Sequence, residues 1–279
     1  MVDFPDYELI DFGQGRKLER FGSEILNRPE STAFDMEKKD SKIWKSAHHI
    51  FKETDANKGI WTPDTDLQWK INLKVKNRKL ELNLSKGKYK HIGVFPEQLT
   101  HWRLIEKQLN KGKSMLNLFA YTGVSSLVGA ATGASVTHID SSKSIMKVAR
   151  ENAAENNIDT IRFIQEDALK FADRELKRKR FYNLIICDPP VFGMGVKREK
   201  WKLDKDLPKL IQTLSKITLP EGILILNTYS PRVSVNDMRE LITDWGFRIQ
   251  DSGWLEIQTK LGYNLRLSKY IVGRRSASA

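Results

Sequence analysis

The sequence is short of several things, and each shortage removes a class of function. Among 279 residues there is one cysteine, Cys187. A single thiol forms no intramolecular disulfide and cannot build a cysteine-rich zinc site. The five histidines, His48, His49, His91, His101 and His138, show no metal-ligand spacing, so no metal is expected. No run approaches the roughly 18 consecutive apolar residues of a membrane-spanning helix, so no membrane partner is expected. The opening MVDFPDYELID is acidic and has neither the basic nor the apolar region of a secretory signal. Internal repeats and low-complexity linkers are missing as well. The expectation is a soluble, cytoplasmic protein, and no pattern in the chain specifies an oligomeric state.

What the sequence does have is positive charge. Lys and Arg total 47 against 35 Asp and Glu, a formal charge of +12. Such a balance suits a polyanionic partner, nucleic acid first. The alternative is a basic enzyme whose lysines only keep it in solution. Hydrophobic residues make up 40%, enough for a buried core.

The first ninety-odd residues differ from the rest. WKINLKV (69–75) and LELNL (80–84) alternate apolar and polar side chains around the polar turn Lys76-Asn77-Arg78, the pattern of a β-hairpin. YELIDFG near the start reads as another strand. The charged stretch 30–58 receives no assignment. From Pro96 the rhythm changes. EQLTHWRLIEKQLN sets Trp102, Ile105 and Leu109 on one helical face, closed by Gly112. Then SMLNLF, SVTHID, IRFIQED, NLIICD and GILILNTY recur as short strands. Helical stretches separate them, one of which puts Ile145, Val148, Ala149 and Ala153 in 3.6-residue register. RIQDSGWLEIQT and LSKYIVG follow as two strands without a helix between them, suited to antiparallel pairing at or near an edge. The fold expected is α/β: a Rossmann-like, mostly parallel sheet with helices on both faces (93–279), preceded by a small β-rich N-terminal domain (1–92). Ligands of such sheets sit beyond the carboxyl ends of the strands, where strand order reverses.

At the first of those ends stands LNLFAYTGVSS (116–126). A dinucleotide turn needs G-x-G-x-x-G and a P-loop needs a Gly-Lys pair; this turn has only Gly123. A nucleoside without phosphates suits it better, and S-adenosylmethionine is the common one. Asp140 stands about 20 residues on, where an acidic side chain accepts from ribose hydroxyls. Asp167, with the backbone near Ala168, suits the adenine amino group. Either aspartate has a plainer alternative as a helix N-cap. The fourth strand ends in CDPPVFGMG (187–195), whose two prolines fix an extended exit. There Asp188 and the Pro189 carbonyl can accept from an amino group, and Phe192 offers a face for a planar base.

The order of LNLFAYTG, HID, QEDA and DPPVF resembles the class I S-adenosylmethionine-dependent methyltransferases. More narrowly it resembles the ribosomal RNA large-subunit methyltransferases, which modify cytosine at carbon 5 or guanine at nitrogen 7. Their F-x-Y-T-G and D-P-P-x-F motifs are matched by Phe119 to Gly123 and by Asp188 to Phe192, and GVFPEQLTHW (93–102) is similar to the segment ahead of their cofactor domain. The resemblance covers Ile92 to the C-terminus. It implies S-adenosyl-L-methionine as cofactor, held by Phe119, Ala120, Tyr121, Thr122, Gly123, Asp140, Ser141, Asp167, Ala168 and Asp188. Asp188, Pro189 and Phe192 then form the catalytic motif, and Phe192, Trp201 and Tyr229, with Thr228, face the target.

Methylation at carbon 5 of cytosine needs a cysteine thiolate. Neighbours in a strand face opposite ways, so Cys187 points into the sheet packing if Asp188 points into the site. In the cytosine-modifying branch the cysteine lies at the end of the next strand, which here reads NTYS (227–230). A nitrogen target needs only position and a proton acceptor. Two basic stretches compete for a nucleic acid. REKWK (198–202) follows the D-P-P motif on the cofactor side, with Trp201 placed to stack on a base. RELKRKR (174–180) precedes strand four and belongs to the opposite end. The expected function is methylation of a base of ribosomal RNA at a nitrogen, within rRNA processing. A small-molecule or protein substrate, RNA cytosine-5 methylation, and a non-catalytic RNA-binding protein are the alternatives.

Overall fold

The computed structural model describes residues 1–55, 58–196 and 199–277. Packing divides the chain into two units. The first is Val2–Leu99 with Glu256–Leu267; the second is Thr100–Leu255 with Ser268–Ala279 and Met1. The sequence reading sets its boundary between residues 92 and 93, whereas the first unit runs on to Leu99 and takes in a segment from near the C-terminus.

The first unit contains β1 (Tyr7–Gly13), β2 (Arg16–Phe21), β3 (Glu24–Pro29), β4 (His49–Asp55) and β5 (Lys58–Thr62), which form one sheet in that order. β6 (Gln68–Val75) and β7 (Arg78–Ser85) form a separate ribbon. Val75 pairs with Arg78, so Lys76 and Asn77 alone make the turn. Lys76 has φ of 50°, the conformation in which a two-residue turn matches the twist of its strands. The alternation seen in the sequence buries Ile71, Leu73, Val75, Leu80, Leu82 and Leu84.

The charged stretch 30–58 contains β4 and two short 3-10 turns, Ser31–Ala33 and Ile43–Ser46. A buried carboxylate organises it. Asp11 accepts from the backbone N–H of Phe12 (2.8 Å), Lys39 (3.2 Å) and Asp40 (3.3 Å) and from the Trp44 indole (2.7 Å). Such an anchor leaves no local periodicity to read.

The second unit opens with α1 (Leu99–Gln108). It then alternates β8 (Ser114–Leu118), α2 (Val124–Ala131), β9 (Ser135–Asp140), α3 (Lys143–Glu155), β10 (Ile161–Gln165), α4 (Ala168–Lys177) and β11 (Tyr182–Cys187). A small ribbon follows, β12 (Phe192–Met194) with β13 (Lys200–Lys202). After it come α5 (Leu203–Ile217), β14 (Thr218–Thr228), α6 (Val235–Asp244), β15 (Phe247–Gln258) and β16 (Asn264–Arg275). The main sheet runs β10-β9-β8-β11-β14-β16-β15. β8 to β11 and β14 are parallel, while β16 lies antiparallel to β14. Chain order reverses between β8 and β11, so their carboxyl ends, Leu118 and Cys187, flank the switch point.

Strand alternation distributes the core over two faces. Leu116, Leu118, Ile185, Cys187, Leu224 and Leu226 pack with buried residues of α4, α5 and α6. On the other face Asn117 and His138 meet Ser126 of α2. Trp102 and Ile105 of α1, and Leu109 just after it, are buried as the sequence pattern requires. In α3 the buried face is centred on Met146, Ala149, Asn152 and Ala153. Ile145 and Val148, expected in that face, sit at its half-buried margin.

Burial keeps His138 neutral. Removal from water, with the Arg150 charge nearby, lowers its pKa to about 3; burial alone does the same to His101. Nδ1 of His138 meets Ser126 Oγ at 3.0 Å, and Nε2 has no hydrogen-bond partner among the described residues.

Two outcomes are expected. Asp11→Ala strands several buried donors and should lower unfolding free energy by about 3 kcal/mol or more in urea titrations; a loss below about 1 kcal/mol would mean that the 30–58 segment holds itself. The buried histidines take up protons on unfolding, so stability is full above the ordinary histidine pKa and falls as pH drops toward 3. The slope is about 1.4 kcal/mol per pH unit for each histidine. His138→Asn should remove one proton from that slope, measured by urea unfolding at several pH values between neutral and 4.

Candidate active site

β8 ends at Leu118, and the chain then turns through conformations that side chains rarely adopt. Phe119 has φ of 55°, Tyr121 of 51° and Gly123 of 90°. Positive φ at a non-glycine residue costs of order 1 kcal/mol or more and persists only where the surroundings impose it. Here they do. The Ala120 N–H donates to the Ile139 carbonyl (3.0 Å), the Tyr121 N–H to Asp140 Oδ2 (3.0 Å), and Asn152 Nδ2 to the Thr122 carbonyl (3.0 Å). At Gly123 a Cβ would meet both Ala149 Cβ and His138 Cε1 at 3.4 Å. Close approach and left-handed backbone together explain the one glycine of this turn.

Asp140 closes β9. Besides the Tyr121 N–H it accepts the Ser142 N–H on Oδ1 at 2.9 Å. Burial raises its pKa, opposed by these backbone donors. It is not a helix cap: Ser142 caps α3, accepting from the Ile145 N–H. Asp167 does cap α4, accepting from the Lys170 N–H at 3.0 Å.

Phe119, Asp140, Ser141, Asp167, Ala168 and Trp201 come together around a small cleft open to solvent, with Ile139, Glu166, Pro190 and Gly193 to Gly195 completing its walls. Among the described residues three carboxylates and no lysine or arginine line it. Carboxylates are acceptors, and together they disfavour an anionic ligand. They suit a nucleoside that carries hydroxyls, an amino group and a cationic sulfonium, which are the features of S-adenosylmethionine. Ala120, Thr122 and Gly123 belong to the supporting turn and, with Tyr121, are not in the walls; nor are Asp188, Pro189, Phe192 and Tyr229.

Asp188 stands just past the end of β11, half-buried. Asn227 Nδ2 donates to its Oδ1 at 2.8 Å, and the Ser268 hydroxyl donates to Asn227 Oδ1 at 3.0 Å. Both Asn227 and Ser268 are buried, so the carboxylate is held from the end of β14 by a fixed amide. Cys187 is fully buried in the sheet packing, and burial together with the adjacent Asp188 pushes its thiol well up. Thr228 is buried, its hydroxyl accepting from the Ser230 N–H, while Tyr229 is partly exposed. The Lys269 ammonium ties the loop after β14 by donating to the Ser230 and Val233 carbonyls.

After the prolines, β12 and β13 form a ribbon with Phe192 largely exposed. Trp201 corrects the sequence reading. Its side chain is buried, donates from the indole to the Pro190 carbonyl at 2.7 Å and packs against Phe119 with ring centroids 5.0 Å apart. It is therefore a wall of the cleft and is not exposed to stack on an RNA base. Arg198, named with that stretch, lies outside the described residues. Of the other basic stretch, Arg178 pairs with Glu175 at the end of α4 that leads into the amino end of β11, while Arg174 reaches back to Glu166 in the cleft wall.

The sequence reading missed Asn152, Glu166, Asn227 and Ser268. Asn227 was within reach, since it opens the NTYS strand end. Ser268 sits on an antiparallel strand far along the chain, and no local pattern announces it.

The family described as S-adenosylmethionine-dependent methyltransferase matches residues 53–243. A structure of a methyltransferase of that kind from Agrobacterium tumefaciens is 35% identical and superposes with a TM-score of 0.87, over 99% of this chain and 91% of that one. Ribosomal RNA large subunit methyltransferase K/L of Shewanella frigidimarina is 37% identical over 153 residues, which is 53% of this chain and 21% of that protein. Its Shewanella oneidensis counterpart is 32% identical over 177 residues, 62% of this chain and 24% of that protein. The chain thus spans about a fifth to a quarter of the length of these curated relatives. On its loop, its cleft and these matches together, the chain belongs to the S-adenosylmethionine-dependent methyltransferases.

Proposed function

We propose that this enzyme methylates a base of ribosomal RNA at a nitrogen atom. The observation that carries the nitrogen assignment is the state of Cys187. Carbon 5 of cytosine becomes nucleophilic only after a thiolate adds to the ring, and the one thiol here is buried with its ionisation suppressed. A base nitrogen already holds a lone pair, so the protein's task is positioning. The RNA substrate is supported by the net charge of +12 and by the similarity to the Shewanella large-subunit rRNA enzymes.

In this reading the turn from Phe119 to Gly123 and the side chains of Asp140, Ser141, Asp167, Asp188 and the Ala168 backbone hold the cofactor. When bound, S-adenosylmethionine supplies an electrophilic methyl group. Asp140 accepts from ribose hydroxyls with the lone pairs its backbone donors leave unused, and Asp167 accepts from the adenine amino group while capping α4. Asp188 and the Pro189 carbonyl accept from the amino or imino group of the target base and orient its lone pair. Asn227 keeps the Asp188 carboxylate in one rotamer. Phe192 and Tyr229 face the flat sides of the base. A proton leaving the target nitrogen passes to Asp188.

Transfer of tritium from labelled S-adenosylmethionine to total RNA, followed by digestion to nucleosides, tests this. The expected label lies on a base nitrogen. It should fall about a hundredfold or more in Asp188→Ala, in keeping with loss of a positioned acceptor, and stay within about twofold of wild type in Cys187→Ala, which alters only packing. Label on 5-methylcytosine that vanishes with Cys187 would overturn the nitrogen assignment. Label confined to protein or a small molecule would overturn the RNA substrate.

A further inference from the structure

The ribbon β12–β13 has two unlike faces. Phe192 pairs with Lys202, Gly193 with Trp201 and Met194 with Lys200. Residues directly opposite in an antiparallel pair share a face. One face therefore carries Phe192, Met194, Lys200 and Lys202. The other carries Gly193 and Trp201, and Trp201 is buried. Phe192 and Met194 are 69% and 64% exposed, and both lysines are exposed.

The back of the ribbon is fastened. Ser141 Oγ donates to the Met194 carbonyl at 3.0 Å, the Leu203 N–H to the Val191 carbonyl at 3.1 Å, and Lys170 pairs with Glu199. Of the acids beside the ribbon, Glu199 pairs with Lys170 and Asp206 accepts from the Lys202 N–H at 2.8 Å; Asp140, Glu166 and Asp167 line the adjoining cleft. Asp204 is exposed in the first turn of α5, where the positive end of the helix dipole offsets its charge. What remains is a fixed surface that sets two apolar side chains beside two cations, next to the cleft that its own backbone walls.

We propose that this face docks the single-stranded RNA segment that carries the target base. Its occupant must combine flat apolar surfaces with regularly spaced negative charge, and single-stranded RNA has both. Bases lie on Phe192 and Met194, and Lys200 and Lys202 neutralise the phosphates between them. The proposal rests on the RNA reading above and adds the surface that delivers the substrate. It also assigns Met194, Lys200 and Lys202, which take no part in the chemistry.

The test uses the full chain with S-adenosylhomocysteine and a fluorescein-labelled, mixed-sequence single-stranded RNA of about 12 nucleotides, within the site sizes of such grooves. Anisotropy is read at stepped salt. The double variant Lys200→Ala/Lys202→Ala should bind more weakly. Its log affinity against log salt should be shallower by about 1.4, at about 0.7 for each phosphate no longer neutralised. Phe192→Ala should bind about fivefold or more weakly with the salt slope retained. The KM for S-adenosylmethionine should stay within about twofold in the lysine variant, and Lys177→Ala/Arg180→Ala, at the far end of α4, should match wild type throughout. Hairpin variants that bind like wild type, while wild type methylates RNA, would overturn the docking face and leave the RNA reading standing. Wild type that neither binds nor methylates RNA would overturn both.

Discussion

The Asp140 carboxylate is the constraint on which the site depends. One of its oxygens takes the Tyr121 N–H and the other the Ser142 N–H, so a single side chain ties the turn after β8 to the start of α3. That turn has two non-glycine residues at positive φ and would relax without an external hold. Asn152 from α3 secures the same turn at Thr122, and the φ of 90° at Gly123, with His138 and Ala149 packed close against it, strains any larger residue there. The cleft follows from the position of this turn: Phe119 stands in its wall, and the Trp201 ring leans on Phe119.

A second constraint is the two-residue period of β11. It sends Cys187 into the core and leaves Asp188 to the Asn227 amide. The same alternation thus decides which of two adjacent reactive groups is available. A thiol sealed in the sheet favours chemistry in which the substrate supplies its own nucleophile. A carboxylate fixed by a buried amide, itself fixed by Ser268, is suited to hold a target group in one orientation.

Much of this was legible in the chain. The parallel sheet announced itself through five short apolar runs, because buried strands need continuous β-branched and aliphatic residues. The loop and the D-P-P exit were legible because glycine and proline requirements are local. The period of β11 was enough to separate Cys187 from Asp188. What escaped was non-local. The 30–58 segment is ordered by Asp11, a residue outside it. Asn152 and Ser268 act across elements distant in sequence. Trp201 looked like an exposed aromatic among lysines, and only the pairing of Trp201 with Gly193 shows which face of its ribbon is buried. The helix α3 was offset for a related reason: Asn152 occupies its buried face because it reaches Thr122, so a polar residue stands where an apolar pattern is sought.

The most direct measurement is calorimetric binding of S-adenosylhomocysteine to wild type and Asp140→Asn, with thermal unfolding of both recorded beside it. Asparagine keeps the size and one acceptor oxygen but cannot serve both backbone donors and a ribose. The expected result is an affinity loss of about tenfold or more, since charge-assisted bonds are lost, with a cooperative unfolding transition retained. Wild-type affinity in the Asp140→Asn variant would contradict the central role given to this carboxylate.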